Sequence, residues 1–331
     1  MAHRHRNDDG GAPVVVIVGA SSGIGRATAH EFARCGARLV LAARSESSLA
    51  EAAEECRALG CEALAVPTDV TVEAHVERLA RTAVREFGRI DVWVGAASVY
   101  AYGTVEQTPV AVFRRLLETN LTGQLHGIRA VLPQFREQGR GVLIMVGSIY
   151  SRIGTPYVSA YAASKAGLLR LGEVLRQELH AERDIHVCLV LPASIDTPIF
   201  QHAANYTGHN VRPLPPVAGP KRVARQIVKL ASRPRPVAMA GLAQRTFVPL
   251  HDLLPRVHDA VVPVLMDRIA LGKPGAPLGK PDVAPDTGTV FAPRPESNAV
   301  TGGWRSVRAR LLLAGALAAG AAVVGGTRRK R

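Results

Sequence analysis

The sequence predicts an α/β fold: a doubly wound parallel sheet in a single domain with a C-terminal extension. Three observations carry this. Apolar runs rich in β-branched residues alternate with stretches of helical spacing from residue 13 onward. The first of these runs leads straight into a glycine-rich turn. Hydrophobic residues make up 47% and charged residues 21% of the 331 positions, which fills a large core and excludes disorder as the main state. Unbroken apolar strands are buried on both faces, and strand–helix alternation brings right-handed crossovers that lay helices on each side of the sheet.

Residues 1–12, opening MAHRHRNDDGG, are polar and are expected to form a flexible tail without the apolar stretch of a secretory signal. Val14 to Val18 reads as the first strand, and helical spacing runs from Gly25 to Cys35. Between them the turn holds Gly19, Ser21, Ser22, Gly23, Ile24 and Gly25. Glycine lets the backbone bend sharply, approach a phosphate closely and pack the helix on the strand. The helix start adds free N–H groups and a positive dipole end, together an anion site.

A second strand spans Arg38 to Ala43, followed by a helix from Glu46 to Leu59, and Cys61 to Pro67 is the third strand. A helix from Val72 to Phe87 precedes the fourth strand, Ile90 to Gly95. A long helix is expected over about Pro109 to Gln138, then a fifth strand at Gly141 to Gly147. The helical run AYAASKAGLLRLGEVLRQEL and the strand Ile185 to Leu191 bring the strand count to six. In such sheets the ligand lies at the carboxyl ends of the strands. The sequence puts the glycine turn, Arg44, Asp69, Ala96, Ser148 and Pro192 there.

A carboxylate ending the second strand would hold the ribose hydroxyls of NAD, whereas a basic residue accommodates the extra phosphate of NADP. Here the strand ends Ala42, Ala43, Arg44 with no acid, which favours NADP and leaves NAD as the alternative. Asp69 has two readings, an acceptor for an adenine amino group or a cap for the helix beginning near Val72. Tyr161 and Lys165 are four residues apart on a helix and therefore share a face, so the ammonium can sit near the phenol. A fixed positive charge beside a phenol of pKa roughly 10 favours the phenolate. Ser148, ending VLIMVGS, can offer its hydroxyl to the same substrate oxygen.

VGASSGIG, the Asp69–Val70 pair, Asn120 in ETNLTG, Ser148, YAASK and PASIDT stand in an order and at intervals that resemble the short-chain dehydrogenase/reductase family over about residues 12–245. The resemblance implies a Rossmann-type domain and an oxidoreductase that interconverts a carbonyl and an alcohol by hydride transfer with NADP or NAD. It implies a tetrad. Tyr161 is the acid/base, Ser148 polarises the substrate oxygen, Lys165 lowers the tyrosine pKa and binds the nicotinamide ribose, and Asn120 holds a water. Pro192, Ile195 and Thr197 match the loop that meets the nicotinamide carboxamide. Three positions depart from the pattern. Val18 replaces threonine, Gly95–Ala96–Ala97–Ser98 replaces Asn-Asn-Ala-Gly, and Ala193 replaces glycine. The rival reading from another class is a catalytically silent, NADP-sensing binding protein on the same fold.

The domain is expected to span 13–271, with a substrate lid at about 193–220 and helical spacing resuming from Val223 to Leu230. The net charge of +14 is concentrated in two acid-free stretches, +8 over residues 197–251 and +7 over 301–331, so nucleic acid is not an expected partner. The lack of acids from Phe200 to Pro220 suits an anionic or carrier-linked substrate, or is a solvated arginine-rich surface. The partner expected is a small carbonyl or alcohol, hydrophobic or acyl in type, and the chain is expected to form a homo-oligomer. Cys35, Cys56, Cys61 and Cys188 lack metal-site or disulfide spacing, which suits a reducing compartment. His251 and His258 could share a helix face, but Pro255 interrupts that helix and two ligands at this spacing do not make a zinc site. Residues 272–304, rich in proline and glycine, read as an extended arm or linker. In 305–331 an uncharged run, Leu311 to Gly326, is bracketed by arginines. It is short for a bilayer core, which takes about 20 residues, yet reads as a candidate membrane anchor for a cytoplasmic catalytic domain.

Overall fold

The computed structural model describes residues 11–241, 244–271, 284–294 and 298–304, the side chains of 244–246 aside. In chain order the first half contains β1 (Val14–Val18), α1 (Gly23–Arg34), β2 (Arg38–Ala43), α2 (Glu46–Ala58), β3 (Ala63–Pro67), α3 (Glu73–Phe87), β4 (Val92–Gly95) and β5 (Ala101–Tyr102). Next come α4 (Val110–Leu117), a π-helical turn (Glu118–Thr122), α5 (Gly123–Gln138), β6 (Gly141–Val146), α6 (Ser159–Glu178), β7 (Ile185–Pro192) and β8 (Ala204–Asn205). The last are α7 (Pro220–Ser232), β9 (Val237–Ala240), α8 (Gln244–Leu253) and α9 (Pro255–Leu265).

Seven strands form one parallel sheet in the order β3-β2-β1-β4-β6-β7-β9. Every residue of β1 is buried, as its unbroken valine–isoleucine run requires of a central strand. Phe32, Leu39, Leu49 and Ile227 fill the core on one face, and Leu79, Trp93, Phe135 and Leu168 fill it on the other. The chain reverses direction across the sheet between β1 and β4, and the carboxyl ends of those strands open the cleft.

Three sequence expectations change. The sheet has seven strands, not six, because Val-Ala-Met-Ala at 237–240 pairs with β7 although four residues carry too little pattern to be read alone. The long helix expected over 109–138 is broken into α4 and α5 by the π-helical turn, which inserts an extra residue and re-aims the side chains within it. A second, two-stranded sheet pairs β5 with β8 above the carboxyl ends of the main strands. His251 and His258 do not share a helix face. They lie on α8 and α9, and their rings meet edge to face at 4.8 Å across the break before Pro255.

The described stretches 284–294 and 298–304 run back over the body. Asp286 exchanges backbone hydrogen bonds with Asn205, and Val290 is wholly buried. Among the described residues no helix is long and apolar enough to cross a membrane. The anchor expected at 305–331 lies outside the described residues, as do residues 1–10 of the tail expected at 1–12.

Candidate active site

One cleft at the carboxyl ends of the strands gathers most of the expected residues. Gly19, Ser21, Ser22, Gly23, Ile24, Gly25, Arg44, Val70 and Ala96 line one end; Ser148, Tyr161, Lys165, Pro192, Ile195 and Thr197 line the other. Asn120 and Asp69 are not among its lining residues.

The glycine turn has the shape a pyrophosphate requires. Gly19 has φ +90, and a Cβ there would stand 2.5 Å from the Ala97 nitrogen. A Cβ on Gly25 would overlap the Gly19 carbonyl oxygen. Only glycine at both positions lets α1 close against the turn. The hydroxyl that Val18 lacks is not needed to hold it, since the Gly19 and Ala20 amides both donate to the Ala42 carbonyl, at 2.7 and 3.1 Å. No side chain caps the first turn of α1, and Ile24 and Gly25 of that turn line the cleft. The residues present therefore fit a dinucleotide.

The other departures are accommodated by neighbours. A Cβ on Gly95 would collide with the Gln124 amide, which occupies the space beside the strand and donates to the Ala97 carbonyl at 3.3 Å. A Cβ on Gly241 would stand 2.9 Å from that of Ala193, so the glycine at 241 leaves room for the alanine. The Asp69 carboxylate does not cap α3. One oxygen accepts from the Thr71 amide and hydroxyl at 2.9 and 2.8 Å, and the other faces Arg115 at 3.3 Å. Val72, uncapped by any side chain, precedes α3.

The π-helical turn buries Asn120 completely. Its Oδ1 accepts from the Ser98 hydroxyl at 3.1 Å and the Val99 amide at 2.8 Å; its Nδ2 donates to the Val99 carbonyl at 2.9 Å and to Ser164 Oγ at 3.2 Å. An amide has two donor and two acceptor positions, so this side chain is saturated by protein. It ties the end of β4 to α6, and a water held here would have to bond the backbone.

Tyr161 and Lys165 project from one face of α6 into the cleft, with the lysine Nζ 5.5 Å from the tyrosine ring centre. Lys165 is 1% exposed and donates to the Val146 carbonyl at 2.9 Å. Burial pulls its pKa down to about 7. Burial likewise pushes the Tyr161 phenol well above its usual range, against the opposing pull of hydrogen bonding from the Ser148 and Ser98 hydroxyls. Desolvation sets both shifts, upward for the phenol and downward for the ammonium, so each group leans to its neutral form. Ser148 also caps the short helical turn after β6, its Oγ accepting from the Tyr150 amide at 3.2 Å.

Several lining residues carried no sequence signal. Ser98, flagged only as a departure from the family pattern, lies beside the phenol. Tyr100 stacks on Tyr161 at 4.2 Å between ring centres, Phe200 meets Tyr100 at 5.8 Å, and Tyr150 meets Tyr161 edge-on at 6.2 Å. Leu214 and Met266 extend this apolar wall from the lid and from the turn after α9. Thr289 and Pro293 close the cleft from the C-terminal arm.

Residues 13–206 match the family profile described as short chain dehydrogenase. The chain is 37% identical over 258 residues to an uncharacterized oxidoreductase, YxnA, of Bacillus subtilis, an alignment covering 76% of this chain and 72% of that one. Among solved structures it resembles a short chain dehydrogenase/reductase from Burkholderia phymatum in complex with NAD, with a TM-score of 0.67, 26% identity and coverage of 74% and 95%. It also resembles an alcohol dehydrogenase from Thermococcus sibiricus complexed with 5-hydroxy-NADP, with a TM-score of 0.61, 27% identity and coverage of 69% and 96%.

Proposed function

The chain belongs to the short-chain dehydrogenases, nicotinamide-dependent oxidoreductases of CH–OH groups, and we propose that it uses NADP, with Tyr161 as acid/base, to interconvert a hydrophobic carbonyl compound and its alcohol. The observation that carries this is the opening of the glycine turn, Ser148, Tyr161 and Lys165 into a single cleft. Gly19 to Gly25 would hold the pyrophosphate, Arg44 the 2′-phosphate, and Ile195 and Thr197 the nicotinamide end. The cofactor, when bound, supplies or accepts the hydride.

The chain's own residues do the rest. The Ser148 hydroxyl donates to the substrate oxygen and fixes its position. The Tyr161 hydroxyl, protonated at neutral pH as phenols are and held so more firmly by burial, gives its proton to that oxygen as charge develops on it in carbonyl reduction. Lys165, held by the Val146 carbonyl, lies where an ammonium would favour the phenolate that the reverse direction needs. Tyr100, Tyr150 and Phe200 exclude water from the reacting atoms and supply an apolar, aromatic wall. That wall supports a hydrophobic substrate over a small polar one. A membrane attachment through 305–331 is added on the composition of that segment alone.

Consumption of reduced cofactor, followed by absorbance with a panel of aldehydes and ketones and with NADPH and NADH in parallel, tests the proposal. Tyr161→Phe should lower turnover by about 10²–10⁴-fold with cofactor affinity retained. A variant that keeps its turnover removes the tyrosine from the mechanism.

A further inference from the structure

The C-terminal arm touches the dinucleotide cleft at three places, in the order in which a bound dinucleotide would extend. At the adenosine end, Arg44 donates from Nη2 to the Thr289 carbonyl at 2.8 Å and from Nη1 to the Phe291 carbonyl at 3.3 Å. At the glycine turn, the Gly23 amide donates to the Ala299 carbonyl at 3.0 Å, and Arg26 Nη1 donates to the Asn298 carbonyl at 2.5 Å. At the nicotinamide end, one oxygen of Asp196 accepts from the Gly302 and Trp304 amides at 3.0 and 2.8 Å.

The arm is seated by shape as well as by hydrogen bonds. Val290 is 0% exposed and packs into the cluster that holds Tyr100, Tyr102 and Tyr161. Gly288 has φ +53, and a Cβ there would run into the His202 and Ala203 backbone. The cleft stays open beneath: Thr289 and Pro293 line it together with the glycine turn and Ser148. The arm is therefore a wall of the cleft and not a plug in it.

We propose that residues 284–294 and 298–304 form a strap that closes the outer side of the dinucleotide site and retains the bound cofactor. This rests on the reading of the cleft as an NADP site. Arg44 makes the coupling chemical. A guanidinium has five donors, and two nitrogens serve the strap's neutral carbonyls. Its remaining N–H groups are available to a phosphate, whose charge makes the stronger bond. The same arginine then joins the 2′-phosphate to the strap, so NADP and a docked strap stabilise each other, and by reciprocity each raises the other's occupancy. NAD, lacking that phosphate, is held by the strap less firmly.

The test uses the full chain and Gly288→Val, which unseats the strap without altering a cleft residue. Dissociation of NADPH, followed by nicotinamide fluorescence after displacement, should be faster in the variant by roughly tenfold or more, the effect of losing a hydrogen bond or two. NADH dissociation should change less. In the unaltered chain, amide hydrogen exchange at Thr289, Gly302 and Trp304 should slow on saturation with NADPH and slow less with NADH. This second measurement decides the matter if the variant does not fold. Equal dissociation rates, or strap amides indifferent to NADPH, overturn the strap while leaving the cofactor site intact. Tighter binding of NADPH in the variant also overturns it, since the arm would then compete with the cofactor. No binding by either chain removes the cofactor reading, and the strap with it.

Discussion

Lys165 and Tyr161 are the groups on which burial acts most visibly. Lys165 is drawn down to about 7 by desolvation, whereas in the unfolded chain it titrates near 10.4. Between those values unfolding takes up a proton, so this residue makes stability rise with pH by up to ~1.4 kcal/mol per unit, a contribution absent below pH 7. Tyr161, raised in the folded state, is neutral in both states up to about pH 9; nearer the ordinary phenol value of about 10 only the unfolded chain ionises, which subtracts from the rise. Urea titrations at about pH 7.5 and pH 9.5 should show the rise in the unaltered chain and a flatter response in Lys165→Met. Equal slopes would mean that the folded protein keeps the ammonium. Arg44 carries a second prediction. Replacing it with serine removes charge-assisted hydrogen bonds worth about 1.5–3 kcal/mol each. The KM for NADPH should then rise roughly ten- to a hundredfold while that for NADH moves little, and parallel rises would make Arg44 a structural residue only.

At the scale of elements, the turn between β1 and α1 is the part most constrained by space. Gly25→Ala would set a methyl on the Gly19 carbonyl, an overlap of the kind that costs about 1–3 kcal/mol in a packed core. Thermal unfolding should fall accordingly and cofactor binding be lost. Normal affinity in that variant would show that the turn can yield. This element was legible because a valine run, three glycines and a helical pattern lie within about twenty positions. The break between α4 and α5 was not. ETNLTG holds weak helix formers, but no local period marks a π-helical turn, and Asn120 within it bonds Ser98, Val99 and Ser164 from elements distant in the chain. The strand β9 escaped for the same reason: its four residues become a strand only by pairing with β7.

At the scale of the whole molecule, part of the acid-free stretch 197–251 is engaged internally: Lys221 and Arg225 of α7 face Glu31 of α1 at 3.6 and 3.4 Å. Such exposed pairs contribute little to stability. The anchor proposed for 305–331 has its own test. The full chain should partition with vesicles containing anionic lipid, and a chain ending at residue 304 should remain in the supernatant; equal partitioning removes the anchor.

The parallel sheet, the glycine turn, Arg44 at a strand end and the Tyr161–Lys165 face could all be read from the chain alone. Each is written in the spacing of residues a few positions apart, and helix and strand periods convert that spacing directly into geometry. What faces the phenol and what closes the cleft was decided only in three dimensions. Ser98 and Tyr100 reach Tyr161 from the loop after β4, Tyr150 reaches it from the turn after β6, Phe200 backs Tyr100, and the arm reaches Arg44 across 245 positions of sequence. Contacts at such separations leave no local period, because the packing that creates them is a property of the folded whole.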